Sequence, residues 1–210
     1  MTELTLYDYE LDEHCYKVRL LLGVLAHPHN KVPVDVHPGR EHRSTRYLRL
    51  NPLGTLPILT EGDAVLYGAE AILAYLARKY DAARAWLPDE PMTFGQVMQW
   101  LVFAVSDLRV ASVARSHSLM GREADEAFIE RAARHAFRHM DDHMTKCEFD
   151  GALWFVGRAP TIADIALFPA FALSRDFGVD HDEYPALRRW MARMRKIPGF
   201  VTMPGIPAYH

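Results

Sequence analysis

Asn51-Pro52-Leu53-Gly54-Thr55-Leu56-Pro57-Ile58-Leu59 is followed, after a short gap, by Leu66 and then by Ala71-Ile72-Leu73-Ala74-Tyr75-Leu76-Ala77-Arg78-Lys79-Tyr80. The order reads as loop, strand, turn, strand, helix. Pro57 stands directly before the apolar run Ile58-Leu59, where a proline withdraws a ladder donor and needs a structural reason. A cis Leu56-Pro57 bond is one such reason, because it would turn the Leu56 N–H and C=O out of the sheet and toward a ligand. The stretch therefore predicts a peptide-binding edge.

Working back toward the N-terminus, Leu4-Thr5-Leu6-Tyr7 predicts a strand, and Val18, Leu21, Leu22 and Leu25 recur at helical spacing on a segment beginning near His14. Lys31-Val32-Pro33-Val34-Asp35-Val36 alternates like an edge strand in which Pro33 is tolerated, and Arg46 to Leu50 predicts a second, less regular helix. Residues 1–80 thus form a βαβαββα unit, which the right-handed crossover rule leaves few ways to wind. Forward of it, residues 81–91 carry Pro88, Pro91 and a cluster of charges and read as a linker. Residues 92–210 are helical in pattern. Phe94, Val97, Met98, Leu101, Val102, Val105 and Leu108 mark one long helix, and Phe128, Ile129, Ala132, Ala133, Ala136, Phe137, Met140 and Met144 mark another. Thr161-Ile162-Ala163-Asp164, after Pro160, predicts a capping box opening an apolar helix through Ile165, Leu167, Phe168 and Phe171. Leu187, Trp190, Met191 and Met194 supply the next helix.

The chain has 210 residues, half of them apolar, enough for two small domains with sizeable cores. A formal net charge of −3 gives no reason to expect nucleic acid or an anionic membrane as partner. Met1-Thr2-Glu3-Leu4 lacks a basic and apolar leader, and charged residues interrupt the apolar runs before spanning length, so the expectation is a soluble cytoplasmic protein. Cys15 and Cys147 are too few for a disulfide framework and fit no zinc spacing.

The Asn-Pro-x-Gly-x-Leu-Pro-x-Leu segment resembles that of the glutathione transferase superfamily, and the Thr161-x-x-Asp164 box resembles that of the same family's helical domain. The resemblance covers nearly the whole chain. It implies a thioredoxin-like α/β domain with an all-α C-terminal domain, glutathione as co-substrate, a small electrophile as second substrate, and a homodimer. It also implies that Leu56 and Pro57 border the glutathione site, with Thr55 as a further candidate. His42, in Gly39-Arg40-Glu41-His42, resembles a delta-class histidine that meets the glycyl carboxylate, work that Arg40 or Arg43 could also do. Aligning Ala71-Ile72 with the family places Gly68 and Ala69 where it carries the Glu and Ser that hold the γ-glutamyl end. That end keeps only the N–H groups of a helix start, with Glu70 adding a negative charge in the same turn. An altered glutathione site follows.

Chemistry in this superfamily is done where the first strand meets the first helix. Aligning Val18-Arg19 with zeta-class relatives puts Asp12, Glu13 and His14 where they carry Ser-Ser-Cys. Ionised Asp12 would raise a thiol pKa by like-charge repulsion, and it reads instead as the helix N-cap. Three candidates remain for holding the thiolate. His14 can donate from its ring in the first turn. Tyr9 offers a phenol, one residue out of register with the tyrosine of other classes. Cys15 falls at the second position of a Cys-x-x-Cys spacing. His135, His139 and His143 recur every four residues, but Arg131, Arg134 and Arg138 beside them oppose a cation, so no metal is expected. Two functions follow: a glutathione-dependent transferase, or a protein of the same fold that has lost the chemistry and binds another small molecule or a protein partner.

Overall fold

The computed structural model describes residues 3–207, which leaves residues 1–2 and 208–210 outside the described residues. β1 (Leu4–Asp8), α1 (Glu13–Val24), β2 (Asn30–Pro33), α2 (Thr45–Leu50), β3 (Ile58–Glu61), β4 (Ala64–Tyr67) and α3 (Ala69–Tyr80) build a four-stranded sheet in the order β2-β1-β3-β4. β1 and β2 are parallel and the other two pairings antiparallel, so α1 is the crossover that parallel neighbours require. This is the thioredoxin-like arrangement implied by the resemblance.

The ladder between β1 and β3 runs from Leu4–Glu61 to Tyr7–Ile58. Leu56 and Pro57 lie just beyond it, joined by a cis bond, so Pro57 withdraws no hydrogen bond from the sheet. His37-Pro38 is also cis, which the sequence reading did not anticipate. Pro33 closes β2 on the edge of the sheet.

Leu6 and Leu59 from the sheet, Leu21 and Leu22 from α1 and Ile72 and Leu73 from α3 are buried in one core. At roughly 1.5 to 3 kcal/mol for each such side chain, this layer supplies the main drive for the α/β unit. A smaller cluster of Cys15, Val34, Tyr47, Leu56 and Ile58 fills the opposite face of the sheet.

The remainder is helical: α4 (Pro91–Val105), α5 (Arg109–Met120), α6 (Glu126–Phe149), α7 (Ile162–Ala172) and α8 (Pro185–Met194). The expected long helix through Leu108 ends at Val105. There the Ser106 hydroxyl donates to Val102 O and to Asp107, an alternative to continuing the ladder. The sequence reading had no helix at α5, whose buried face is made by small residues, Ala111 and Ala114, beside Arg115. Together Pro91–Met120 is long and apolar enough to cross a membrane by length and composition, with Asp107 and Arg109 at the break.

α7 is buried along its whole length, which explains why it is apolar on every side. The expected capping box is present: Thr161 N donates to Asp164 Oδ2 (2.8 Å) and Ala163 N to Thr161 Oγ1 (3.2 Å). Asp164 also accepts from Phe155 N and from Trp190 Nε1 (2.9 Å). Both α1 and α3 pack on α7. The Tyr16 hydroxyl donates to Val201 O at 2.7 Å, and Gly23 meets the backbone of Gly199 so closely that a Cβ at Gly23 would stand 2.6 Å from Gly199 O. These contacts fix the helical bundle against the α/β unit and leave a cleft between them on the α5 side.

Candidate functional site

The loop from β1 to α1 is held from behind by Arg19. Its buried guanidinium pairs with Asp8 and donates to Glu10 O (2.9 Å) and Tyr9 O (3.3 Å). Asp12 is the α1 N-cap, with Cys15 N donating to Asp12 Oδ1 at 2.8 Å. Capping spends this carboxylate on the helix rather than on a ligand.

Cys15 requires a correction to the reactive role considered for it. Its side chain is fully buried between the sheet and α2, where Sγ accepts from Tyr9 N at 3.4 Å. Burial pushes the thiol well above its ordinary value, and the Asp12 and Asp8 carboxylates push the same way. It packs and does not face the cleft.

His14 and Tyr9 do face it. They line a cleft of about 460 Å³ together with Leu11, Asp12, Glu13, Val36 and Thr55 on one wall and α5 with its flanks on the other. α5 is fastened across the loop by side chains that the sequence reading did not pick out. Arg115 Nη1 donates to Leu11 O and Nε to Asp176, each at 2.7 Å, and the Ser112 hydroxyl donates to Glu13. No local motif marks them, since their partners lie 61 to 104 residues away in sequence. The His14 Nε2 atom stands 4.0 Å from Glu13 Oε1.

The other candidates lie ahead of α2, ahead of β3 and at the start of α3. His42 is half-buried in a 3-10 turn, Glu41–Arg43, and its Nδ1 is buried without a hydrogen-bond partner among the described residues. Burial, then Arg43, Arg40 and Arg122, hold the ring below its ordinary pKa, so it is neutral at pH 7. Asn51, fully buried, donates to both the carbonyl (2.8 Å) and the hydroxyl (2.9 Å) of Thr55. This pins the approach to Leu56-Pro57.

Gly68, with φ +85 and ψ 116, precedes α3 and gives it no side-chain cap, and Ala69 is buried in its first turn. The next residue, Glu70, differs from the expectation of an unneutralised charge. Lys17, itself buried on α1, donates to Glu70 Oε1 at 2.8 Å. Burial opposes the Glu70 charge, but the Lys17 ammonium outweighs it and holds the carboxyl below its usual value. Of the sequence candidates, Tyr9, His14 and Thr55 share the cleft lining, while His42, Leu56, Pro57, Gly68 and Ala69 lie outside it.

Two of the α6 histidines, His139 and His143, pack on the same ring, that of Trp100. His143 Nε2 meets Phe155 O at 2.9 Å and its ring lies 4.6 Å from that of Trp100. His139 lies against Trp100 and Phe103, and His135 is exposed.

Comparison with known proteins follows the same division of the chain. Residues 6–84 match the glutathione S-transferase N-terminal domain and residues 111–198 the glutathione S-transferase C-terminal domain. The chain is 27% identical to glutathione S-transferase GstB of Escherichia coli, covering 97% of this chain and 99% of the relative. It is 30% identical to maleylacetoacetate isomerase of Rhizobium meliloti, covering 88% of each. Among solved structures, a glutathione S-transferase from Pseudomonas fluorescens superposes with a TM-score of 0.86 at 28% identity, over 96% of this chain and 98% of that one. A glutathione transferase homologue from Drosophila mojavensis with bound glutathione gives 0.83 at 26% identity, over 94% and 90%.

Proposed function

The chain belongs to the glutathione S-transferase family, and on that premise we propose that it is a glutathione-dependent transferase acting on a small electrophile. The observation that carries this reading is the cleft itself. The β1–α1 loop with Tyr9 and the first turn of α1 with His14 form one wall of a cavity whose other wall is α5 and the residues flanking it. Glutathione supplies a cysteinyl thiol whose ionised form attacks an electrophilic carbon, the new S–C bond forming as a leaving group departs or a double bond takes up the electron pair.

In this proposal His14 donates to the sulfur and, with the N-terminus of α1, favours its negative charge. Tyr9 is the second donor. The unpartnered Nδ1 of His42, flanked by Arg40 and Arg43, suits the glycyl carboxylate. Leu56, just before cis Pro57, offers its backbone to the cysteinyl peptide, and Thr55 holds that segment through Asn51. Gly68 and Ala69 present α3's first N–H groups to the γ-glutamyl carboxylate. Two copies pair as a homodimer, for which exposed Val65 and Tyr67 on β4 and Met92 and Val102 on α4 provide apolar surface. Titration calorimetry with glutathione, followed by conjugation assays over an electrophile panel, tests the proposal, and light scattering tests the dimer. A chain that binds no glutathione and conjugates nothing would leave the binding-protein reading. That reading draws on the loss of Glu and Ser at Gly68 and Ala69.

A further inference from the structure

We propose that Arg115 is a positioning residue for the thiol: from the opposite wall of the cleft it holds the β1–α1 loop where Tyr9 and His14 meet the sulfur, a role that rests on the proposed function for the identity of the thiol. The loop carries four backbone carbonyls, those of Tyr9, Glu10, Leu11 and Asp12. Asp12 O accepts from Tyr16 N (3.0 Å) and Tyr9 O from Asp12 N (3.0 Å), while Arg19 donates to both Tyr9 O and Glu10 O. These three are met from within the α/β unit. Leu11 O is met by Arg115 Nη1 at 2.7 Å, from α5. Among the described residues it is the one backbone hydrogen bond of this loop that comes from the helical bundle. Leu11 stands one residue ahead of the Asp12 cap and three ahead of His14, so its place sets where the first turn of α1 lies.

The guanidinium is itself held. The Arg115 side chain is 9% exposed, and its Nε donates to Asp176 Oδ2 at 2.7 Å. The Asp176 carbonyl accepts in turn from the Ser118 hydroxyl (2.6 Å), and Asp176 belongs to the 3-10 turn Ser174–Phe177 that follows the wholly buried α7. A line of contacts therefore runs from the core helix through Asp176 and Arg115 to Leu11. A planar fork seated on two acceptors has little freedom, and a hydrogen bond from an ion is roughly twice as strong as one between neutral groups. Val113, Leu119 and Met120 of the opposite wall lie on the same helix as Arg115. α5 thus places the electrophile's wall directly and the sulfur's wall through one side chain. That coupling matters because a displacement of about 1 Å between reacting groups can cost on the order of a hundredfold in rate.

The test uses the full chain with Arg115→Met, Arg115→Lys and Asp176→Ala. Hydrogen exchange at the Asp12 and Cys15 amides, which close the turn and the cap, reads the loop without any ligand. In Arg115→Met it should quicken at least about tenfold, while amides of β1 and the middle of α1 stay protected and show that the chain has folded. With glutathione bound, the ionised fraction of its thiol near neutral pH, followed by ultraviolet absorbance, should fall about tenfold and kcat with it. S-methylglutathione, which has no thiol proton to lose, should bind within about twofold of the native chain. Arg115→Lys keeps one donor and should recover part of both losses. Asp176→Ala separates position from charge: removing a carboxylate would by charge alone raise the thiolate fraction, whereas freeing the guanidinium from its anchor should lower it. Native-like exchange at Asp12 and Cys15 in Arg115→Met, or a raised thiolate fraction in Asp176→Ala, overturns the proposal. The two readings fail separately. A chain that binds no glutathione sinks the transferase reading and leaves the exchange result to decide this one, whereas conjugation at the native rate in Arg115→Met does the reverse.

Discussion

The N-terminus of α7 is closed by its own chain, with Thr161 and Asp164 exchanging hydrogen bonds inside the core, whereas that of α3 starts at Gly68 with no side-chain cap. Both ends carry the same unsatisfied N–H groups and the same partial positive charge. At α7 burial leaves water out of reach, so the side chains must supply the acceptors. At α3 the N-cap, Gly68, is exposed, and in the first turn an acidic side chain, Glu70, is anchored by Lys17 of α1. A helix end satisfied internally serves stability, and one left open to a surface is available to a ligand.

Breaking the closed end has the largest expected effect. Asp164→Ala leaves Thr161 N, Phe155 N and Trp190 Nε1 without their acceptor in the core, which at about 1 to 3 kcal/mol for each buried orphan should cost at least about 3 kcal/mol of stability. Thermal or urea denaturation measures it, and a loss under about 1 kcal/mol would show that the box is dispensable. Glutathione affinity should not change, because the box lies in the helical core.

The same residue gives the closed end a pH dependence opposite in sign to that of Glu70 at α3, whose carboxyl is held below its usual value. Burial raises the Asp164 pKa from 3.8 to about 6 against the pull of its four hydrogen bonds. The native state then holds a proton that the unfolded chain releases near pH 4. Asp164's contribution is full below that value and is lost as pH rises through about 6, on the order of 2 kcal/mol across the window. Denaturant midpoints between pH 4 and 7 should fall with pH more steeply in the native chain than in Asp164→Asn, and parallel curves would refute the assignment.

Sharpening the open end is a smaller change. Gly68→Glu with Ala69→Ser restores an acceptor and a donor for the γ-glutamyl group, and should tighten glutathione about tenfold, roughly 1.4 kcal/mol. A Cβ at Gly68 meets nothing within 4 Å, but φ +85 is a strained angle for any other residue, so stability should fall by about 1 kcal/mol while affinity rises. Unchanged or weaker binding would mean a pocket rebuilt for another ligand.

The smallest effect concerns α1, whose N-terminus is capped by Asp12 yet borders the cleft. His14→Ala should raise the bound thiol's pKa and slow conjugation near neutral pH about fivefold, roughly 1 kcal/mol, with glutathione affinity nearly unchanged. A thiol titration followed by ultraviolet absorbance reads the pKa directly. A larger loss in Tyr9→Phe, with His14→Ala silent, transfers the role to Tyr9.

These differences between helix ends were unequally legible. The α7 box could be read from Thr161-Ile162-Ala163-Asp164, because capping acts over three residues. The strands, α1, α3 and the Asp12 cap followed from local periodicity and cap chemistry for the same reason. α5 did not, because alanines make its buried face and leave almost no hydrophobic period. Cys15 read as a thiol near a helix N-terminus, where such groups are acidified, but the sheet and α2 bury it and reverse the sign.

The sequence by itself determined the order of strands and helices apart from α5, the proline before β3, the caps of α1 and α7 and the family, all of which rest on neighbours within one turn or one strand, where spacing along the chain is distance in space. Only the tertiary structure decided that Lys17 neutralises Glu70, that Arg19 supports the loop carrying Tyr9, and that Ser112 and Arg115 close α5 over Glu13 and Leu11. Charges are strengthened or cancelled by whatever approaches within a few ångströms, and in this chain those partners come from as far as 104 residues away.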